Sequence, residues 1–574
     1  MSAPPSSGSL PVNRPVATFA RTWGARHGLV VVVAALSLTS LVILATSAFP
    51  LGIPGEWTWA RRAWTEIDPL ACVWSVLLGV GYWGAVRWGE TGRLNRSPYP
   101  QVRASDQPAG SAEAGQPVRT WGSRLRLAGL CLLAFAWLFG TLNLQPDYQG
   151  IGRSPSVLYY KRTEGYFWQA AFEVQNSREF LYHYRDSIAS GDDSDRYLHL
   201  GTHPPGLTLA YRGLLALFEG SPRLATSMLA LEPPAVRDGF EALRQFPTPR
   251  GQPLSAAEEA TLWVATLLTL LATAATCWPI YRLTLRMSDH VTAWRAAALW
   301  PLVPSLLVFF PKSDLLCPVI ALTSCWLWLD GWSRLRWGRC VLAGAGFCVG
   351  LMLTLALAPI ALLLVVQTVL ERWTRREEFR DRRVVADVGA VLAALLGFLI
   401  PLGVVSAWGG CNLFAIWMQN LSNHALFYDH NPRSYWRWLL VNPLEGAVAL
   451  GVPVACLVVL GGYRSIRERA RWAVAFSQSL AWVVVWAILW LTGKNMGEAA
   501  RLWIFLAPWP VMTAAMALLP KRHDGGDSSS PGELIGEWDR SRAWRWMLFL
   551  QLVVCLWTSG CVDGFHFADL LVVP

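Results

Sequence analysis

Charge is scarce in this sequence. Only 15% of its 574 residues are Asp, Glu, Lys or Arg, while 53% are hydrophobic; a soluble globular chain carries about 25% charged residues. The deficit comes from long apolar stretches, each near the roughly 20 residues a membrane helix needs. Lysine is scarcer still: of 49 basic residues only Lys161, Lys312, Lys494 and Lys521 are Lys. The net charge of +10 is therefore almost all Arg. Those Arg cluster between apolar runs, which points to membrane topology and not to nucleic-acid binding. Metal-type cysteine spacing is also missing. Most of the 11 Cys, such as Cys72, Cys131, Cys277, Cys317, Cys348 and Cys456, lie inside apolar runs as small hydrophobes. Cys411 and Cys561 fall near expected outer ends, where a disulfide and two free thiols are both open. No internal repeat and no signal-peptide cleavage site stands out. The Pro/Ser-rich start is followed by a run too long for a signal core, expected to stay as a first membrane helix.

What is present is a series of apolar runs, at 28–49, 70–88, 126–144, 260–283, 293–311, 315–332, 340–370, 384–407, 439–461, 473–492, 502–519 and 543–560. The 33 Trp suit the two membrane interfaces. Arg-rich segments lie before 28 and at 87–126, 282–295, 334–339, 372–383, 464–471 and 521–545. The positive-inside rule places all of them in the cytoplasm. Two consequences follow. The run 340–370 has basic segments at both ends, so it must be a helical hairpin turning near Leu355–Pro359. The segment 203–219 cannot be a simple crossing, and is expected to be re-entrant or interfacial. The fold class is then all-α, a polytopic transmembrane bundle of about 13 spans, amino terminus inside and carboxyl terminus outside. One large external loop, 145–258, lies between the third and fourth spans. The segment 521–542 is a cytoplasmic linker.

Several polar residues gather on the expected outer face. Asp147 follows the third apolar run and opens a loop rich in Tyr, Trp and mixed charge that contains Glu164. Next comes Thr-His-Pro-Pro-Gly at 202–206, directly before an apolar helix. Pro204 and Pro205 suit a helix's first turn, which would hold His203 at an N-terminus that favours an anion. Lys312 and Asp314 lie in Pro-Lys-Ser-Asp between two runs, and Lys494, Glu498 and Arg501 in the loop before 502. Each has an ordinary reading: a helix cap for Asp314, an interfacial ion pair and a snorkelling Arg for Glu498 and Arg501. Their convergence on one face suits one reaction in particular. A sugar on a polyprenyl phosphate reacts through an oxocarbenium-like transition state, needs a carboxylate for the acceptor hydroxyl, and needs cations or a helix N-terminus beside the leaving phosphate.

Across about 125–520 the layout resembles the GT-C superfamily of multi-pass glycosyltransferases, of the protein O-mannosyltransferase and lipid A aminoarabinose transferase type. The resemblance lies in an acid opening a long external loop (Asp147), the His203-Pro204-Pro205-Gly206 signature, a second external acid (Asp314), and then a basic turn and a Gly-rich hairpin. SYWRWLLVNPLEGAVALG at 434–451 and GEAARLWIFLAP at 497–508 also fit bacterial members. The resemblance implies Asp147 as catalytic base, Asp314 as a second-loop carboxylate, and His203, Lys312, Lys494 and Arg501 near the donor phosphate. Glu498, Pro204, Pro205 and Gly206 would support them. Two runs precede the one before Asp147, and Tyr148 stands where a paired acid is usual, so Glu164 is the reserve base. The implied organisation is a tail, two extra helices and a basic loop over 1–125, a catalytic module over 126–520, and a linker with a last helix over 521–574. The expected activity is transfer of a hexose or pentose from a polyprenyl-phosphate donor to a glycan, lipid or protein acceptor, with no nucleic-acid partner. It would occur on the periplasmic or extracytoplasmic side of the cell (inner) membrane. No cofactor is certain, and a divalent cation is an open expectation. The alternatives are a transporter or flippase, a scaffold, and an oligosaccharide polymerase or ligase.

Overall fold

The computed structural model describes residues 16–46, 50–62, 69–91, 120–145, 150–190, 199–246, 248–518 and 531–565. Asp147 and residues 519–530 lie outside them, and the expected linker 521–542 is helical from Pro531 onward. Helix α1 (Val16–Thr46) leads to a small hairpin, β1 (Gly52–Ile53) against β2 (Trp57–Thr58), and to β3 (Ala60–Arg61). Helices α2 (Pro69–Thr91) and α3 (Thr120–Asn143) follow. The long segment 145–258, expected to be an external loop, is itself largely helical: α4 (Ser154–Tyr159), α5 (Ser177–Ser190) and α6 (Gly206–Glu219) are its main parts. The bundle resumes with α7 (Ala256–Ala275), α8 (Cys277–Met287), α9 (His290–Leu299), α10 (Cys317–Ser333), α11 (Trp337–Leu353), α12 (Pro359–Thr374) and α13 (Val384–Gly409). It ends with α14 (Leu413–His430), α15 (Tyr435–Leu450), α16 (Val452–Arg467), α17 (Ala473–Leu491), α18 (Pro508–Met516), α19 (Pro531–Cys561) and β4 (Val562–Asp563), which pairs with β3.

The chain is an all-α polytopic membrane protein. Among the described residues nine helices are long and apolar enough to cross a membrane, or ten with one bent pair, fewer than the Arg pattern predicts. The difference lies in identifiable elements. Trp337–Leu353 and Ile504–Met516 are apolar but short, and the run 439–461 breaks into α15 and α16 with a bend of 107°. The break in 340–370 falls at Thr354–Ala358, where the hairpin turn was expected. Helix α6 has 14 residues, about 21 Å of helix, and so is too short to span.

Local chemistry accounts for the boundaries. Helix α7 starts at a reciprocal capping box: the Ser255 amide donates to Glu258 Oε2 at 2.7 Å and the Glu258 amide to Ser255 Oγ at 3.3 Å. Helices α11 and α13 touch through glycine. A Cβ on Gly344 would lie 1.9 Å from the Ala394 carbonyl, and one on Gly397 1.9 Å from the Val341 carbonyl, the small-residue contact by which helices pack in lipid. Part of the Trp complement is internal, while Trp74, Trp88, Trp337, Trp373, Trp408, Trp436 and Trp546 are exposed. Trp137, Trp263, Trp300, Trp332, Trp438, Trp509 and Trp544 are fully buried. Trp137, Trp294 and Trp300 donate to the carbonyls of Pro301, Val86 and Thr273 at 3.0, 3.1 and 2.8 Å. Such bonds satisfy the indole N–H while the ring fills the core. Cys411 and Cys561 are free thiols.

Candidate active site

Helix α10 separates two charged regions. Its 17 residues make about 25 Å of helix. At one end Asp330 pairs with Arg334 at 3.3 Å, Arg336 at 3.8 Å, and Arg339. Nearby, Asp387 pairs with Arg372 and Arg382 at 2.5 and 2.7 Å, and Arg382 stacks on Trp332 at 5.0 Å. This is the basic end that the sequence assigns to the cytoplasm. Asp314 stands at the opposite end.

Asp314 is not a helix cap. It lies inside a short 3-10 turn, Ser313–Leu316, that leads into α10. Its Oδ2 is 3.5 Å from Arg501 Nε, and Arg501 Nη2 is 2.5 Å from Glu498 Oε2. Arg501 thus bridges two carboxylates that are far apart in sequence. Glu498 itself has φ +58, a left-handed conformation that costs a non-glycine residue about 1–3 kcal/mol. The turn Ala499–Leu502 that follows places Glu498 and Arg501 together, as their spacing implies.

Glu164 joins the same cluster from the segment 145–258. It is 1% exposed, and its Oε1 accepts from the Ser313 amide at 2.5 Å. Its Oε2 is buried without a hydrogen-bond partner. Burial pushes the Glu164 carboxyl up, Lys312 and the Ser313 hydrogen bonds oppose that shift, and Asp314 adds to it. Lys312 is turned inward, with Nζ donating to the Thr163 carbonyl. Burial and then Arg501 lower its ammonium group's pKa, against Glu164, Asp314 and Glu498. Lys312 therefore balances the Glu164 carboxyl from inside. Lys494 is exposed and stands apart from the cluster, near enough to His424 to act on its charge.

His203 faces Asp314 across a cleft that Ser313, Leu207, Leu353 and Thr354 also line. Its ring makes an edge contact with Tyr166 at 5.8 Å. Helix α6 begins at Gly206, so Pro204 and Pro205 precede the helix instead of filling its first turn. A Cβ on Gly206 would lie 2.2 Å from the Met352 carbonyl, so the signature's glycine lets α6 start against the end of α11. The His203 backbone is strapped down: its carbonyl accepts from Tyr184 Oη and Asn420 Nδ2, both at 2.9 Å. Asn420 and Asn423 also donate to the Gly201 carbonyl at 2.9 and 3.0 Å. These two asparagines of α14 were not evident in the sequence. Their spacing on one helix face was the available signal.

The structure thus joins Glu164, His203, Lys312, Asp314, Glu498 and Arg501 at one end of the bundle. Among the described residues no three His, Cys, Asp or Glu side chains come together as cation ligands. Asp314 and Glu498 are bridged by the Arg501 guanidinium.

No protein-family model and no curated protein matches the sequence. Among solved structures, the archaeal oligosaccharyltransferase AglB from Archaeoglobus fulgidus, in complex with an inhibitory peptide and a dolichol-phosphate, is 13% identical with a TM-score of 0.37. The match covers 78% of this chain and 57% of that one. A second A. fulgidus oligosaccharyltransferase structure, in complex with Zn and sulfate, is 14% identical with a TM-score of 0.35, over 76% of this chain and 54% of that one. This chain therefore spans little more than half the length of either. At these scores the likeness assigns neither a reaction nor any residue.

Proposed function

We propose that the protein is a membrane glycosyltransferase that moves a sugar from a polyprenyl-phosphate donor to an acceptor hydroxyl on the extracytoplasmic side. The observation that carries this reading is the pairing of Asp314 with Arg501 beside His203, at the end of α10 remote from the Arg-rich end. A carboxylate, a guanidinium and an imidazole then stand together where a lipid-linked phosphate can arrive along the outer helices.

In the proposed reaction the acceptor oxygen bonds to the anomeric carbon while the bond from that carbon to the phosphate oxygen breaks. Polyprenyl phosphate leaves, and the acceptor's proton passes to a carboxylate. Asp314 is the carboxylate that borders the cleft, with its side chain 16% exposed. Glu164 is sealed and holds the Ser313 amide, which suits it to positioning the loop. Asp147, the base that the GT-C resemblance implies, remains the alternative proton acceptor. Arg501 and His203 would oppose the charge that grows on the leaving phosphate. Arg501 is already engaged by two carboxylates, so a phosphate would have to share it.

The test is transfer from radiolabelled polyprenyl-phosphate hexoses and pentoses in purified membranes. Transfer that disappears in both Asp314→Asn and Asp147→Asn supports the reading, and the variant with the larger loss identifies the base. If no lipid-linked sugar reacts while proteoliposomes take up a solute, the protein is a transporter.

A further inference from the structure

A second cluster of buried polar groups lies within electrostatic reach of Glu498, and the proposed reaction does not use it. Helix α15 presents Trp438, Asn442 and Glu445 at spacings of four and three, and all are buried. Glu445 is 1% exposed, yet neither carboxylate oxygen has a hydrogen-bond partner. The same holds for Asn442 Oδ1, for Nε and Nη1 of Arg433, and for the Trp59 indole nitrogen. Glu445 lies within electrostatic reach of Glu498 and Arg433, with the Trp59 indole beside it but outside hydrogen-bond geometry. Buried polar groups in native proteins are almost always paired, because an unpaired group bears its full desolvation cost. Donors and acceptors left open in one place therefore mark a site for a ligand that supplies both.

The walls narrow the chemistry. The hairpin contributes Trp57 and Trp59, whose rings are 6.4 Å apart, and Trp57 is also 6.4 Å from Trp438. Glu56 fixes this wall to α15: its carboxylate accepts from the Ser434 amide at 2.9 Å and from the Trp438 indole at 2.7 Å. Flat aromatic faces around a few convergent polar groups are the lining of a small-molecule site. An acid, an amide and a guanidinium next to indole rings suit a ring with several hydroxyls, each both donor and acceptor, and apolar C–H faces.

We propose that the unpaired polar groups between the hairpin, α15 and Glu498 form a sugar-ring subsite of the transferase, opened when the sugar enters. This rests on the transferase reading, because Glu498 is shared with Arg501 and so joins the subsite to the Asp314 cleft. The two extra amino-terminal helices then have a role: they carry the hairpin that closes the subsite.

Saturation-transfer NMR on the full chain in detergent tests this with methyl α-mannopyranoside, methyl β-glucopyranoside and methyl β-arabinopyranoside as probes. The expected result is saturation of at least one glycoside by the wild type, reduced at least fivefold in Glu445→Gln and in Asn442→Ala. Asn442→Ala guards against misfolding of the Glu445 variant, since alanine favours the helix. A KM for the polyprenyl-phosphate sugar that rises in the same two variants assigns the subsite to the donor sugar. An unchanged donor KM assigns it to the acceptor sugar. Saturation without transfer from any lipid-linked sugar removes the transferase reading and keeps a sugar site. Saturation equal in wild type and both variants, or none by any probe in the wild type, overturns the proposal and leaves a water-filled structural network.

Discussion

Replacing Asp314 by Asn should separate catalysis from stability. The Asp314 and Arg501 side chains are 16% and 13% exposed, and their closest atoms are 3.5 Å apart. At an effective dielectric constant of 20 the attraction is about 5 kcal/mol, but that figure is gross. Desolvation offsets most of it. The variant leaves no orphaned cation either, because Arg501 keeps Glu498 at 2.5 Å. The net loss of stability should therefore be about 1 kcal/mol. If Asp314 receives or orients the acceptor's proton, turnover should fall about 100- to 10,000-fold, equivalent to about 3–5 kcal/mol of barrier. Arg501→Met should lose stability as well as turnover. It leaves Asp314 and Glu498 without their shared guanidinium and should destabilise by about 3–5 kcal/mol. Thermal unfolding of purified protein and sugar transfer in the same membranes read the two quantities. Wild-type turnover in a folded Asp314→Asn variant would refute the assignment of the cleft as the reaction centre.

Three further outcomes are expected. Cysteines introduced at exposed positions of 178–186 should react with an impermeant thiol reagent on intact cells, while those in 375–383 should react only after permeabilisation; the reverse pattern would place the cleft in the cytoplasm. The Glu164 carboxyl is raised above its ordinary 4.5, so its contribution to stability is fully present below that value and is lost as pH rises through the folded-state value. Glu164→Gln should flatten this limb in thermal melts taken from pH 4 upward, and an unchanged pH profile would show that Glu164 is not the titrating group. Asn420→Ala removes donors to the carbonyls of Gly201 and His203 and should cost about 1–3 kcal/mol while raising the KM for the lipid-linked donor; a stability loss with unchanged KM would make the asparagine strap purely structural.

Much of this site could be read from the sequence, because membrane topology is written locally. The Arg clusters mark one end of α10 and so assign Asp314 to the other. The basic segments flanking 340–370 require the break that the chain makes at Thr354–Ala358. The spacing of Glu498 and Arg501 implies their ion pair. What could not be read is which side chains meet across separate segments. Lys312 is one case: the loop carries it inward onto Thr163 and Glu164. Glu445 did give a signal. It is an acid inside the apolar run 439–461, and intramembrane acids are rare and usually functional. The bend of 107° after Leu450 explains how such an acid is accommodated, since α15 does not continue along the line of α16.

Along α10 itself, charge is confined to the two ends, unlike the run 439–461 with its buried Glu445. A transporter holds its substrate near the bilayer midplane, between repeats whose broken helices supply ligands at that depth. Here the pairs on α10 and its neighbours lie at its two ends, about 25 Å apart by helix length. Between Asp314 and Asp330 the sequence is LLCPVIALTSCWLWL, with no ionisable acid or base other than thiols. A charged solute would find no partner along that stretch. The polar groups at the Asp314 end are fixed by elements gathered at that end: the Thr163–Glu164 turn, the Asn420 strap and the Glu498 turn. Rigid support of a carboxylate and a guanidinium at one surface suits a reaction on a molecule that stays in the outer leaflet.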